Sequence, residues 1–462
     1  MKYRVEKDSL GEMKVPADAY WGAVTQRSIE NFRASGLKMQ PGFIRALGIV
    51  KLACAQANME LGVLPNDIAQ AVSKAAAEVM EGRLDAEFPV DVFQTGSGTH
   101  SNMNANEVIA NRALEMLGDK KGSRKVHPND HVNLSQSSND VIPTAIHVSC
   151  IEALNQKLLP SLQDLKAALK QKEEEFKDVV KTGRTHLMDA TPVTLGMEFS
   201  TYASQIEKGI QRIKAVYPHL IEISIGGTAV GTGINAPKGF AKLAVKNTSR
   251  LTGIDFIENP IKAEGISAHD AVVELSGALK TVAISLYKIA NDIRWMASGP
   301  GAGLNEITIP ANEPGSSIMP GKVNPTQAEA LLMACAQVIG NDAGISFAGA
   351  SGSFELNTMK PLMAYNILQS IEILSNAQAS FTDRCVKGIK SNEKQIKRYL
   401  DKNLMLVTAL SPRIGYDRAS EIAKEAHMTG KSIREVALRQ KVLSKKELDR
   451  ILNPKKIACT KN

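Results

Sequence analysis

A mainly α-helical fold, organised around a bundle of long helices, is what this sequence predicts. Three observations carry the prediction. Leu275, Leu279, Val282, Leu286, Ile289 and Ile293 are separated by alternating steps of four and three, the spacing of a coiled-coil seam. From Ile151 the apolar residues Leu154, Leu158, Leu162, Leu165, Leu169 and Phe176 recur at helical spacing. Strand-like alternation is rare, and Thr326 to Ile339 and Leu362 to Leu374 read as further helices of the same bundle.

In chain order, residues 1–137 read as a mixed domain of loops and short helices. Residues 138–395 hold the long periodic segments, with one long helix from Ile151 that Pro160 breaks at most locally. Residues 396–462 read as a small domain of shorter helices. There is no internal repeat and no low-complexity tract. The apolar faces are long and must be covered, within one bundle or by an oligomer of several.

Composition excludes some classes of protein. With 43% hydrophobic and 23% charged residues in 462, the chain is not intrinsically disordered. The net charge of +8 is dispersed, and the densest run, LSKKELDR, mixes both signs. It reads as a solvated face rather than a nucleic-acid or membrane surface, and it suits small anionic substrates. The N-terminal stretch is polar, and no apolar run reads as transmembrane in length. Cys54, Cys150, Cys335, Cys385 and Cys459 form no CxxC pair, so a reducing compartment, the cytoplasm, is expected.

The chemistry concentrates in small polar clusters. TGSGTHSNMN (95–104), HPNDHVNLSQSSND (127–140), GRTHLMDATP (183–192), GGTAVGTG (226–233) and GSSIMPGKVNP (315–325) interrupt otherwise apolar helical segments. Hydroxyls and amides supply fixed hydrogen bonds without charge, and Lys322 adds one point charge; such a set suits a small carboxylate. GGTAVGTG lacks the GxGxxG order and a surrounding βαβ unit, so it is not a dinucleotide loop. His127 and His131 stand four apart, but Pro128 argues against one helical face, and no third metal ligand is evident. His186 is either structural or, if the fold brings Glu329 beside it, half of a proton-handling pair.

These clusters together resemble the conserved blocks of the fumarase/aspartase superfamily, with GSSIMPGKVNP similar to its signature loop. The resemblance extends over essentially the whole chain, from EKDSLGEMKVPADAYWGAVTQRSIENF to LMLVTALSPRIGYDRASEIAKEAH. Thr185–His186 and Gly321 resemble the class II fumarases, whereas aspartate ammonia-lyases, the alternative, usually carry Gln at the His186 position and Ala at the Gly321 position. His100, Met188 and Gly301 depart from the common pattern.

The resemblance implies reversible hydration of fumarate to (S)-malate through an aci-carboxylate, with no metal or organic cofactor. It implies a three-domain fold and a homotetramer whose central domains form a twenty-helix core with active sites shared between subunits. It implies that Ser316 abstracts the proton, His186 acts as general acid oriented by Glu329, and Lys322 with Asn324 holds the developing charge; an alternative gives the base role to His186. Ser97, Thr99, Ser137, Ser138, Asn139 and Thr185 would bind the carboxylates. His127, Asn129 and Asp130 resemble a second anion site near the entrance.

Overall fold

The Leu275–Ile293 seam lies on one helix, and none of its six side chains is more than 1% exposed. The architecture comes from a computed structural model in which residues 2–458 are described; Cys459 lies outside them. A hairpin of β1 (Tyr3–Asp8) and β2 (Gly11–Pro16) opens the described chain. Then come α1 (Ala23–Asn31), α2 (Pro41–Glu60), α3 (Asn66–Met80) and α4 (Thr99–Met116). Next, α5 (Ser138–Ala153) and α6 (Leu159–Glu175) run on through a π-helical turn at Leu154–Leu158. A second hairpin, β3 (Val180–Thr185) and β4 (Met188–Thr194), leads into α7 (Leu195–Leu220). The helices α8 (Phe240–Thr252), α9 (Lys262–Ser267), α10 (Asp270–Met296), α11 (Thr326–Gly349) and α12 (Lys360–Arg384) follow. Short helices close the chain between Glu393 and Ala458.

Three expectations need correcting. The helix placed from Ile151 begins at Ser138, because Ser137 and Asp140 form a capping box that starts it thirteen residues earlier. Its π turn lies where the Pro160 ring would crowd the carbonyl of Gln156, four residues back. The first 137 residues carry helices as long as the 20 residues of α2, not only short ones. Finally, α11 extends to Gly349 and is long and apolar enough, by length and composition, to cross a membrane; yet only 39% of its most apolar window is buried.

The chain divides into two compact units. The first comprises Met1–Pro160, Gln211–Ala283 and Ala336–Ser375; the second comprises Ser161–Ile210, Ile284–Cys335 and Asn376–Asn462. The boundaries fall inside α6, α7, α10, α11 and α12, so each of these helices contributes residues to both units. In the first unit α2 packs against α3, α5 and α8. In the second, the C-terminal helices bury a core of their own around Leu410, Ile422, Val436 and Leu448.

Candidate active site

In the first unit two polar clusters sit at helix N-termini. Gly98, at a left-handed φ of 78°, turns the chain into α4 at Thr99, and the Ser97 and Thr99 hydroxyls lie 2.8 Å apart. Ser137 caps α5, so Ser138 and Asn139 occupy its first turn. The first amides of a helix have no partner within it and carry the positive end of its dipole, which favours an anion there. The Asn102 amide links the clusters, donating to the Ser138 hydroxyl and to Asn133 Oδ1 at 3.1 Å each. The Asn139 amide donates to the Ala229 carbonyl, 2.8 Å away in the Gly226–Gly233 loop. A cavity of about 380 Å³ opens here, lined by Asn102, Ser137, Ser138, Thr228 and Asn235.

A buried ionic frame lies below. Asp140 accepts the N–H of Ser137, Gly226 and Thr228 at 2.9 Å each, which explains what the glycine-rich loop does: its amides bind a side-chain carboxylate. Burial lifts Asp140 to about 6 against the pull of those donors. Lys51 donates to Asn133 Oδ1 and Gln136 Oε1, both at 2.9 Å. Lys360 donates to the Asn139 carbonyl at 3.2 Å. Burial pushes both ammonium groups down to about 7. Asp140→Asn would turn an NH₂ group toward amide donors and remove the countercharge of the lysines. We expect it to cost about 3–5 kcal/mol, read as a lowered thermal midpoint. A midpoint equal to wild type would remove Asp140 from the frame.

In the second unit, the β3–β4 hairpin turns at His186 and Leu187, whose φ values are 56° and 61°. Two consecutive non-glycine residues in the left-handed region are costly, and the surroundings must hold them there. A buried ion network anchors the hairpin two residues before His186. Arg184 grips the fully buried Glu306 in two bonds of 2.9 Å, and Lys181 reaches Glu306 at 3.1 Å and Glu198 at 2.8 Å. Thr185 and His186 therefore stand exposed at the tip of an anchored hairpin.

The Gly315–Pro325 loop belongs to the same unit. The Gly315 N–H donates to the Lys322 carbonyl at 2.9 Å, and the Asn324 amide donates to the Gly315 carbonyl at 2.6 Å, closing the loop on itself. Gly315 has no room for a Cβ, which would lie 2.2 Å from the Lys322 carbonyl oxygen. The Ser316 hydroxyl oxygen accepts the N–H of Ile318 at 3.2 Å and of Met319 at 3.0 Å. Lys322, Asn324 and Glu329 line a cavity of about 580 Å³ together with Arg294 and Trp295. Lys322 is exposed.

Known proteins resemble this chain along nearly its whole length. Residues 11–340 match the lyase family model, and residues 406–458 match that of the fumarase C C-terminus. Proteins named class II fumarate hydratase from Caulobacter vibrioides and Rhizobium meliloti are each 54% identical to it, with 98% of both chains covered. The crystal structure of a class II fumarase from Schistosoma mansoni superposes with a TM-score of 0.97 at 42% identity, covering 100% of each chain. The chain belongs to the class II fumarate hydratase family. Its mainly helical fold is that of the fumarase/aspartase superfamily.

The family's blocks are distributed between the units. Ser97, Thr99, Ser137, Ser138 and Asn139 are half-buried in the first unit; Thr185, His186, Ser316, Lys322, Asn324 and Glu329 belong to the second. Among the described residues no hydrogen bond joins His186 to Glu329 within the chain, and both are exposed. His127 caps a π-helical turn, its Nδ1 accepting the N–H of Asn129 and Asp130 at 3.2 Å each. His127 and Asn129 line a third cavity, of about 340 Å³, and Asn129 also borders the Ser137–Ser138 cavity. Among the described residues no group of three or more His, Cys, Asp or Glu side chains is placed to hold a metal.

The three departures from the family pattern have plain local settings. The His100 ring packs on Phe32 with centroids 5.1 Å apart, and burial lowers its pKa, so it is a neutral ring beside Thr99. Met188 is 69% exposed on the hairpin. A side chain added at Gly301 would meet open space. Reading motifs missed Lys51, Lys360, Arg184 and Glu306. Lys51 alone left a signal, as a single cation inside the apolar run IVKLACA.

Proposed function

We propose that this chain catalyses the reversible addition of water to fumarate, giving (S)-malate, and that it does so as a homotetramer with active sites shared between subunits, in the cytoplasm. The observation that carries the chemical reading is the Ser316 hydroxyl, whose oxygen accepts two backbone N–H groups in a loop that also presents Lys322. Dehydration of malate removes a proton beside a carboxylate and leaves two negative charges on that group. Such an intermediate forms only if the charge is met as it develops. Lys322 and the Asn324 amide meet it. A serine is a weak base at its ordinary pKa; two amides donating to its oxygen favour the alkoxide and make it a stronger candidate. His186, oriented by Glu329 across a subunit boundary, donates a proton to the departing hydroxyl. The hydroxyls and amides of Ser97, Thr99, Ser137, Ser138, Asn139 and Thr185 hold the carboxylates, and His127, Asn129 and Asp130 form an accessory anion site.

Uncovered apolar surface supports the oligomer. On α10, Ile284, Tyr287 and Trp295 are 54%, 45% and 48% exposed, and their spacing sets them on one stripe. On α11, Met333 and Phe347 are 69% and 80% exposed. Further copies of the chain would bury these stripes, which also accounts for a helix apolar enough for a membrane in this family. The test of substrate is absorbance of fumarate, followed from malate and from aspartate in separate assays. We expect fumarate from malate alone. Fumarate from aspartate but not malate would replace this reading with an ammonia-lyase.

A further inference from the structure

Beneath the hydroxyl clusters of the first unit lie two lysines outside every family motif. Lys51 and Lys360 are both 0% exposed. Fully buried lysines are rare, because the ammonium loses its hydration and regains it only through partners. Here one carboxylate, Asp140, faces two ammonium groups. The other titratable groups that face them are neutral, since burial raises the Cys54 thiol and lowers the His269 imidazole. With Asp140 ionised, the frame carries one positive charge in excess when both lysines are protonated, the state that a bound dianion favours. The cavity beside it is lined mainly by hydroxyls and amides, with Met103 and Ile234, and by no cation.

The bonding aims that charge. Lys360 is tied to both clusters at once: its backbone N–H donates to the Gly96 carbonyl at 3.0 Å, and its Nζ donates to the Asn139 carbonyl at 3.2 Å. Lys51 bonds Asn133 Oδ1, the same oxygen that accepts from Asn102, and Asn102 holds the Ser138 hydroxyl. Gly96 itself must be glycine, because a Cβ there would lie 1.5 Å from the Thr358 carbonyl oxygen, two residues before Lys360.

We propose that Lys51 and Lys360 are positioning residues for the dicarboxylate: from beneath, they hold the Ser97–Thr99 and Ser137–Asn139 clusters in place and supply the positive potential that these uncharged clusters lack. The proposal rests on the reading of these clusters as carboxylate-binding. Charge held in a buried frame is screened less by salt and water than surface charge.

The experiment uses the full-length protein and succinate, a dicarboxylate of the same length without the reacting double bond. Calorimetry at pH 7 gives its Kd, and steady-state assays give kcat and KM for fumarate. Lys360→Met and Lys51→Met should each raise Kd and KM about tenfold, with kcat within about threefold of wild type. Lys360→Arg, which keeps the charge, should restore both to within about threefold. A Lys360→Met protein with wild-type Kd would overturn the proposal, as would a Lys360→Arg protein as weak as Lys360→Met. If Lys360→Met fails to fold, Lys51→Met carries the same comparison; if neither folds, the lysines are structural only and the proposal falls. A wild-type protein that binds succinate but does not hydrate fumarate would overturn the functional reading instead, and the Kd comparison would still decide the role of the lysines.

Discussion

Lys322→Ala lowers kcat/KM by about 10²–10³ and leaves the fold intact: this is the expected result of removing one preorganised partner of a developing oxyanion, worth about 3–4 kcal/mol. The structure separates the two halves of that statement. Lys322 is exposed, so its side chain supports no core. Its contribution to the loop is through its carbonyl, which accepts the Gly315 N–H and survives the substitution. The loss should therefore fall on catalysis, with an unchanged thermal midpoint. Steady-state kinetics beside a melting curve checks both. An alanine variant within threefold of wild type would take Lys322 out of the mechanism.

The second large effect is expected on mixing inactive proteins. Ser316→Ala and His186→Asn should each be nearly inactive alone, and activity should return when the two are unfolded together and refolded as mixed tetramers. If Ser316 and His186 of one site come from different chains, about one quarter of sites combine two intact residues by random assortment. The physical motive is length. The helices α7, α10 and α12 have 26, 27 and 25 residues, and at ~1.5 Å per residue each carries the chain nearly 40 Å. Length separates clusters at opposite ends of such helices; for Ser316 and His186, both in the second unit, the further motive is that among the described residues no hydrogen bond within the chain joins His186 to Glu329, on the helix after the Ser316 loop. No recovery, with mixed tetramers verified by mass, would sink the shared site.

Much of this protein was legible in local pattern. The seam of α10 was read residue by residue, because a helix that buries one face repeats its apolar residues every three or four positions and that period survives in the sequence. The Gly315–Pro325 loop was legible as a loop with a helix after it, since proline and glycine punctuate the chain. Helix starts were less so. The onset of α5 at Ser138 was hidden inside a cluster read as polar loop, and only the capping box shows that the cluster is also a helix terminus.

By itself, then, the sequence determined the helical class, the long central helices, the polar clusters and the family they belong to. Each is a property of residues near one another in the chain. Tertiary structure alone decided what stands under and behind those clusters. Asn139 and Lys360 are 221 residues apart, and Arg184 and Glu306 are 122 apart. A buried charge and its partner leave no period and no spacing in the sequence; the contact exists because each charge, once out of water, must find a partner wherever the fold brings one.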